Sequence, residues 1–237
     1  MFTSKYTYLL LNLITIFFPL VLSFDKKVAF FKYWRHLATG MLVAGTLFIA
    51  WDVWFTDLGV WSFNSEYLVG INLLNLPIEE WLFFITVPYA CVFILKCVEV
   101  YFKPKSGQWA KLVSLTMITL FVLASILNYD KIYTLITCAL CALFLTIHLL
   151  IFDFEKMAGF LIAYALSAVP FFIVNGVLTA NPVVIYNNAE NVGFRLGSIP
   201  VEDFAYSFLL LLITVTFAEV SQELKVNSRL NHLKSLA

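Results

Sequence analysis

The chain is predicted to be an all-α polytopic membrane protein of about seven transmembrane helices, arranged as two parallel three-helix repeats joined by an extra helix. Three observations carry that expectation. Of 237 residues, 62% are hydrophobic and only 13% charged, with a mean hydropathy of +0.89. A soluble domain has nowhere to bury so much apolar surface, whereas a bilayer accepts it. The apolar runs are long and unbroken, and inside a bilayer only helices or closed barrels satisfy the backbone, so runs of this length select helices. The chain also repeats itself. Laid ungapped at an offset of 123 residues, Thr56, Val60, Asn64, Val69, Gly70, Leu73, Pro77 and Glu79 meet Thr179, Val183, Asn187, Val192, Gly193, Leu196, Pro200 and Glu202. Such a repeat points to a duplicated membrane unit.

Seven spans follow in order, at about Tyr6–Phe24, Leu37–Val53, Leu76–Val100, Leu112–Leu127, Ile132–Phe152, Met157–Val174 and Ile199–Ala218. The first sits where a signal peptide does, but it lacks a strongly basic start and a small-residue cleavage site, so it is read as a mature span. The fourth, with about 16 residues, is short for a hydrocarbon core of ~30 Å and is expected to be tilted or partly interfacial. Twelve basic residues lie on one side: Lys26, Lys27, Lys32, Arg35, Lys96, Lys103, Lys105, Lys111, Lys156, Lys225, Arg229 and Lys234. Only Lys5, Lys131 and Arg195 lie on the other, a bias that puts the C-terminal tail in the cytoplasm and the N-terminus outside.

The units are therefore expected at 1–111 for the first three-span repeat, 112–131 for the linking fourth span, 132–218 for the second repeat and 219–237 for a cytoplasmic tail. The odd fourth span restores orientation, so the repeats are parallel rather than inverted. The loops Val60–Asn75 and Val183–Ser198 each carry an aromatic-Asn step and a later glycine, Gly70 or Gly193, suited to a tight turn. The tail is polar with scattered leucines and is expected as a short surface helix or an unstructured segment.

The chemistry concentrates at the third helix of each repeat. Pro77-Ile78-Glu79-Glu80-Trp81 and Pro200-Val201-Glu202-Asp203-Phe204 each open a long apolar run, and the parallel repeat puts both on the same, non-cytoplasmic face. The bland reading is an ordinary helix start, proline at the first position and acids complementing the dipole for roughly 0.3–1 kcal/mol each. Repetition in register favours function, since ionisable groups at a membrane edge facing a bundle are functional candidates. Two neighbouring carboxyls in a partly dry site settle as one protonated acid beside one carboxylate, the pair needed to donate one proton and remove another. On a helix Phe83 follows Glu79, Phe84 follows Glu80 and Tyr206 follows Glu202 on the same face; with Trp81 and Phe204 these rings are candidates for holding a carbocation, worth ~2 kcal/mol or more when desolvated. Each ring alone reads equally as core or lipid-facing bulk.

Other residues carry weaker signals. Arg195 is the one basic residue of its loop and a candidate partner for a carboxylate. Asp52 and Asp57 border span two as supporting acids or solvated interface residues. His148 reads as packing, His36 and His232 as surface. Cys91, Cys97, Cys138 and Cys141 lie inside apolar spans with no second ligand pair, which reads as packing.

Several classes are disfavoured. Net charge is zero, so there is no basic field for nucleic acid. There is no G-x-G-x-x-G after a strand, no H-E-x-x-H and no D-D-x-x-D, and span seven has no lysine for a retinal Schiff base.

With these residues assembled, the chain resembles the small membrane-integral lycopene cyclases. That family includes heterodimeric bacterial enzymes, single-chain fusions of both subunits, and the cyclase domain of fungal bifunctional lycopene cyclase/phytoene synthase proteins. The two repeats match the fused form over essentially the whole length, and Asp203 stands where the first motif has Glu80. The resemblance implies cyclisation of the linear ψ-ends of lycopene to β-rings, through γ-carotene to β-carotene. It also implies an isomerase of the intramolecular lyase type, with no cofactor required and a place in a bacterial inner (cell) membrane. Glu79 and Glu202 are expected as principal acid and base, tuned by Glu80 and Asp203. The implied partners are lycopene, other carotenoids with linear ends and the lipid bilayer, with no nucleic acid; self-association or a complex with other carotenoid enzymes stays open, as does the ring type formed. Two rival classes share these features: a non-catalytic carotenoid-binding subunit and a small proton-coupled transporter. A transporter is expected to keep polar groups near the bilayer midplane, whereas here they sit at one edge. A silent binder has no need of both acidic pairs.

Overall fold

The computed structural model describes residues 4–105, 107–152, 154 and 156–235, the side chains of 226–235 excepted. Seven helices carry the architecture: α1 (Thr7–Leu22), α2 (Trp34–Asp57), α3 (Ile78–Tyr101), α4 (Gln108–Leu127), α5 (Ile132–Phe152), α6 (Met157–Ala180) and α7 (Val201–Ser235). Among the described residues α2 to α7 are long and apolar enough to cross a membrane, and α1 is a shorter apolar helix. The chain is an all-α polytopic membrane protein.

Several boundaries differ from expectation, and α2 runs to Asp57 rather than Val53. α4 has 20 residues, enough to span rather than lie partly in the interface. α6 continues past Val174 to Ala180, because Asn175 and Thr179 find partners: the Thr179 hydroxyl donates to the Asn175 carbonyl at 2.8 Å. α7 runs unbroken from the bundle into the polar tail, as far as Ser235. Pro77 is not the first helical residue of α3 but the extended residue before it (φ −66°, ψ 149°).

Its place is explained by small ribbons among the loops. β2 (Asn72–Leu73) pairs with β3 (Leu76–Pro77), and β5 (Arg195–Leu196) with β6 (Ile199–Pro200), each an antiparallel hairpin leading into an acidic helix start. Proline sits at the outer end of both, where no ladder donor is required. A third ribbon joins the halves: β1 (Trp61–Phe63) runs antiparallel to β4 (Val184–Tyr186), with Trp61 facing Tyr186, Ser62 facing Ile185 and Phe63 facing Val184. Exchanging each residue for its repeat counterpart returns the same pairing, so a pseudo-twofold axis passes through Ser62 and Ile185.

Helix packing obeys the same symmetry. α1 packs on α3 as α5 packs on α7, and α2 packs on α7 as α6 packs on α3. The second helix of each repeat thus lies against the third helix of the other. α4 covers α5. The outer faces of α1 and α4 leave Leu10, Ile14, Phe17, Phe18, Leu112 and Leu120 exposed, the pattern of helices that face lipid. At the centre Phe48, Trp51, Phe55, Trp61, Tyr133 and Tyr206 form an aromatic cluster between the halves.

Candidate active site

The hairpins bring backbone amides onto the first acid of each motif. Gly70 (φ +90°) and Gly193 (φ +73°) turn the chain in the left-handed region, which suits a residue without a β-carbon. The amide just before each glycine points at a carboxylate: Val69 N–H donates to Glu79 Oε1 at 2.7 Å and Val192 N–H to Glu202 Oε1 at 2.8 Å. The Thr134 hydroxyl also donates to Glu202 Oε1, at 2.6 Å. Both glutamates are sealed, at 0% and 2% exposed.

The second acid of each motif faces another way. Glu80 and Asp203 both line one cavity, together with Asp52 of α2. Glu80 Oε2 accepts from the Tyr8 hydroxyl at 2.6 Å. Asp203 is held more fully: Tyr133 donates to Oδ1 at 2.7 Å, and Asn175 Nδ2 and the Tyr186 hydroxyl donate to Oδ2 at 2.7 and 2.8 Å. Three donors suit an anionic carboxylate, since none of the contacts asks Asp203 for a proton. Burial, and then the Asp203 charge, raise the Tyr186 phenol well above its usual value, so it remains a donor. Asp52 lies buried with Oδ2 unpartnered.

The β1–β4 ribbon roofs this cavity. Side chains alternate across a strand, and Trp61, Phe63, Val184 and Tyr186 all line the space while Ser62 and Ile185 are exposed.

Repeat counterparts show where the two halves diverge. Asp52 corresponds to Asn175, and Phe63 to Tyr186. The second half therefore surrounds Asp203 with neutral donors. The first half gives Glu80 one donor and a second acid.

The candidate aromatic residues separate. Phe83 and Tyr206 line the cavity, and the Tyr206 hydroxyl has no partner. Phe84 is buried against Phe48, 6.1 Å between ring centroids. Trp81 donates its indole N–H to the Leu73 carbonyl at 3.2 Å, tying down its hairpin. Phe204 stacks edge-on against Phe171 at 5.0 Å. Arg195 does not neutralise a carboxylate: it donates to the Ser198 carbonyl and to Asn188 Oδ1, both at 2.8 Å, with its guanidinium 5.7 Å from the Tyr186 ring. The hairpin turn absorbs its charge.

Tyr8, Tyr133 and Asn175 were not singled out from the sequence, and Tyr186 stood out only in the aromatic-Asn step of its loop. Tyr8 and Tyr133 are counterparts at an offset of 125 rather than 123, so an ungapped comparison misses them. Asn175 is a polar residue in an apolar run, one position past the expected end of its span. Among the described residues no group of three or more His, Cys, Asp or Glu is placed to hold a metal ion.

A family model described as "Lycopene cyclase" matches residues 5–98 and 130–221, two segments that flank α4. A stretch of 63 residues is 41% identical to the bifunctional lycopene cyclase/phytoene synthase of Neurospora crassa, covering 25% of this chain and 10% of that protein. The chain thus spans a small part of that relative's length. No solved structure matches it.

Proposed function

Because the chain belongs to the lycopene cyclase family, we propose that it cyclises the linear ψ-ends of lycopene to β-rings by acid–base isomerisation in one cavity. The observation that carries this reading is the meeting of Glu80 and Asp203, one from each half, on a single aromatic-lined space. Glu80 is the proton donor: with one donor of its own, Tyr8, and a second acid, Asp52, in the same cavity, a neutral carboxylic acid fits its surroundings. Its proton adds to the terminal alkene and leaves a tertiary cation. The next double bond attacks that cation, closing a six-membered ring and moving the charge within it. Asp203, anionic among its three donors, takes the adjacent ring proton, and the electron pair of that C–H bond becomes the ring double bond. One proton enters and one leaves, so the product is an isomer and no electrons are exchanged. The proton on Asp203 then returns to Glu80 across the shared cavity. Tyr206, Trp61, Phe63 and Phe83 supply ring faces around the cation.

This assignment shifts the principal roles from Glu79 and Glu202 to Glu80 and Asp203. The first acid of each motif fixes a loop through Val69 or Val192, and the second works on substrate. The distribution of lysine and arginine favours an acidic end on the non-cytoplasmic side of the membrane, and the resemblance to the fused bacterial enzymes favours a bacterial cell membrane.

Pigment chromatography from a bacterial host that accumulates lycopene, expressing this chain alone, tests the reading. Wild type is expected to yield γ- and β-carotene, and Glu80→Gln or Asp203→Asn to return the pigment to lycopene with the protein still in the membrane. Glu79→Gln, whose amide oxygen still accepts from Val69, is expected to retain part of the conversion. Untouched lycopene beside normally inserted wild-type protein would reject a self-sufficient cyclase and favour binding or transport.

A further inference from the structure

Two apolar pockets adjoin the acidic cavity along the seam between α3 and α6, sharing part of its wall. One is lined by Val87, Pro88, Cys91 and Ser167 and shares Phe171, Ser207 and Leu210 with the cavity. The other is lined by Thr15, Ala90, Ile94 and Pro170 and shares Phe83, Phe171 and Asn175 with it. No charged residue lines either pocket. On α3 the lining reaches from Glu80 to Ile94, about 21 Å at 1.5 Å per residue.

The symmetry-related seam, between α2 and α7, is closed from Gly40 to Phe48, the stretch that leads to the acids. A β-carbon on Gly40 would fall 2.1 Å from the Thr214 carbonyl oxygen, so the two backbones touch where the open seam carries their counterparts Ala163 and Cys91. Nearer the acidic end Phe48 packs on Tyr206, 4.7 Å between centroids. Their counterparts, Phe171 and Phe83, stand apart from such a contact and line the open pockets instead. Among the described residues the apolar pockets that share walls with the acidic cavity lie on the α3/α6 seam, whereas the opening on the α2/α7 seam lies by Arg35 and Lys225, beyond Gly40 and away from the acids.

We infer that the α3/α6 groove holds the linear arm of an elongated, uncharged polyene, admitted from the lipid side, with its end group at Glu80 and Asp203. The inference rests on the cyclase reading for the end group, while the occupant follows from apolar, uncharged pockets that share walls with the reacting space. One groove admits one end at a time. A substrate with two linear ends must leave and re-enter reversed, so a monocyclic product is released between turnovers.

Filling the groove tests this from both walls. Ser167→Phe on α6 and Cys91→Phe on α3 are each expected to cut ring formation at least tenfold at unchanged membrane level and gel-filtration profile. A binding readout separates the groove from catalysis: lycopene co-purifying with Glu80→Gln protein, measured by absorbance per mole of protein, is expected to fall at least fivefold when Ser167→Phe or Cys91→Phe is added. If both filled variants retain full bound lycopene, the groove is wrong even where wild type makes rings. If wild type makes no rings but binds lycopene and loses it on filling, the cyclase reading fails and the groove stands. At limiting enzyme, γ-carotene is expected ahead of β-carotene; β-carotene without it would overturn release between turnovers.

Discussion

Ser62 stands directly opposite Ile185 in the β1–β4 ladder, and each is the other's counterpart in the repeat. The pseudo-twofold axis therefore passes through a three-residue ribbon rather than through the helices. This joint fixes how the two acidic helix starts meet. Flanking bonds run from Asn64 N–H to the Val183 carbonyl and from Asn187 N–H to the Val60 carbonyl, at 2.9 and 2.8 Å. By the alternation of an antiparallel ladder, Ser62 and Ile185 form a hydrogen-bonded pair as well.

Removing that donor is expected to loosen the roof. Ser62→Pro should cost about 1–3 kcal/mol from the lost bond and local distortion, read as a lower midpoint in thermal unfolding and reduced ring formation. Ser62→Thr, with an exposed and strand-compatible side chain, should match wild type. Equal stability of the proline variant would show that the ribbon does not hold the halves together.

The divergence between Asp52 and Asn175 gives the second test. If Asp52 helps keep Glu80 supplied with its proton, Asp52→Asn should lower turnover by roughly 100-fold or more, within the range for lost acid–base assistance, while lycopene binding persists. Asn175→Ala removes one of three donors to Asp203 and should cost about 1.5–3 kcal/mol in the reaction, roughly tenfold to a hundredfold. Turnover of purified protein, beside bound lycopene, measures both. An Asp52→Asn enzyme with wild-type turnover would remove that residue from the mechanism.

Tyr186 links stability to pH. Its phenol is raised by burial and by the Asp203 charge, so between the unfolded value of about 10 and the folded one the native state binds more protons than the unfolded state. Stability contributed by the neutral phenol is fully present below about pH 10 and is lost as pH rises beyond it. Tyr186→Phe, which copies Phe63 of the first half, should flatten this alkaline limb in unfolding measurements. It should also slow ring formation about tenfold by removing one donor from Asp203. An unchanged alkaline slope would mean that the phenol titrates in the folded protein as it does in the unfolded chain.

Much of this was legible in residue order because membrane helices are written in long apolar runs and the motif P-x-E-E/D occurs twice. Glu80 and Asp203 were visible as candidates; that they, rather than Glu79 and Glu202, face the cavity depends on which loop amide each carboxylate meets. Helical spacing alone does not encode Val69 or Val192. Arg195 looked like a counter-ion because it stands alone in its loop, yet a hairpin carbonyl and Asn188 hold it. Tyr8 and Tyr133 escaped notice because the two repeats differ by two residues between the first helix and the loop. The open and shut seams rest on pairs such as Cys91 with Ser167 against Thr214 with Gly40, whose sizes are plain in the sequence but whose facing is not.

The shut seam can be probed directly at Gly40. A methyl group there would fall 2.1 Å from the Thr214 carbonyl oxygen, a backbone atom in another helix, and 3.2 Å from the Ala218 β-carbon. Relief requires α2 and α7 to separate, so Gly40→Ala should cost about 1–3 kcal/mol through overpacking. Gly45 lies one and a half turns further along α2 with nothing within 4 Å of an added β-carbon. Gly45→Ala should therefore be neutral or stabilising by about 0.5–1 kcal/mol through helix propensity. Thermal unfolding of both variants in the same detergent gives the comparison. If the two substitutions behave alike, α2 and α7 are not in backbone contact, and the asymmetry that leaves one groove beside the acids would lose its physical basis.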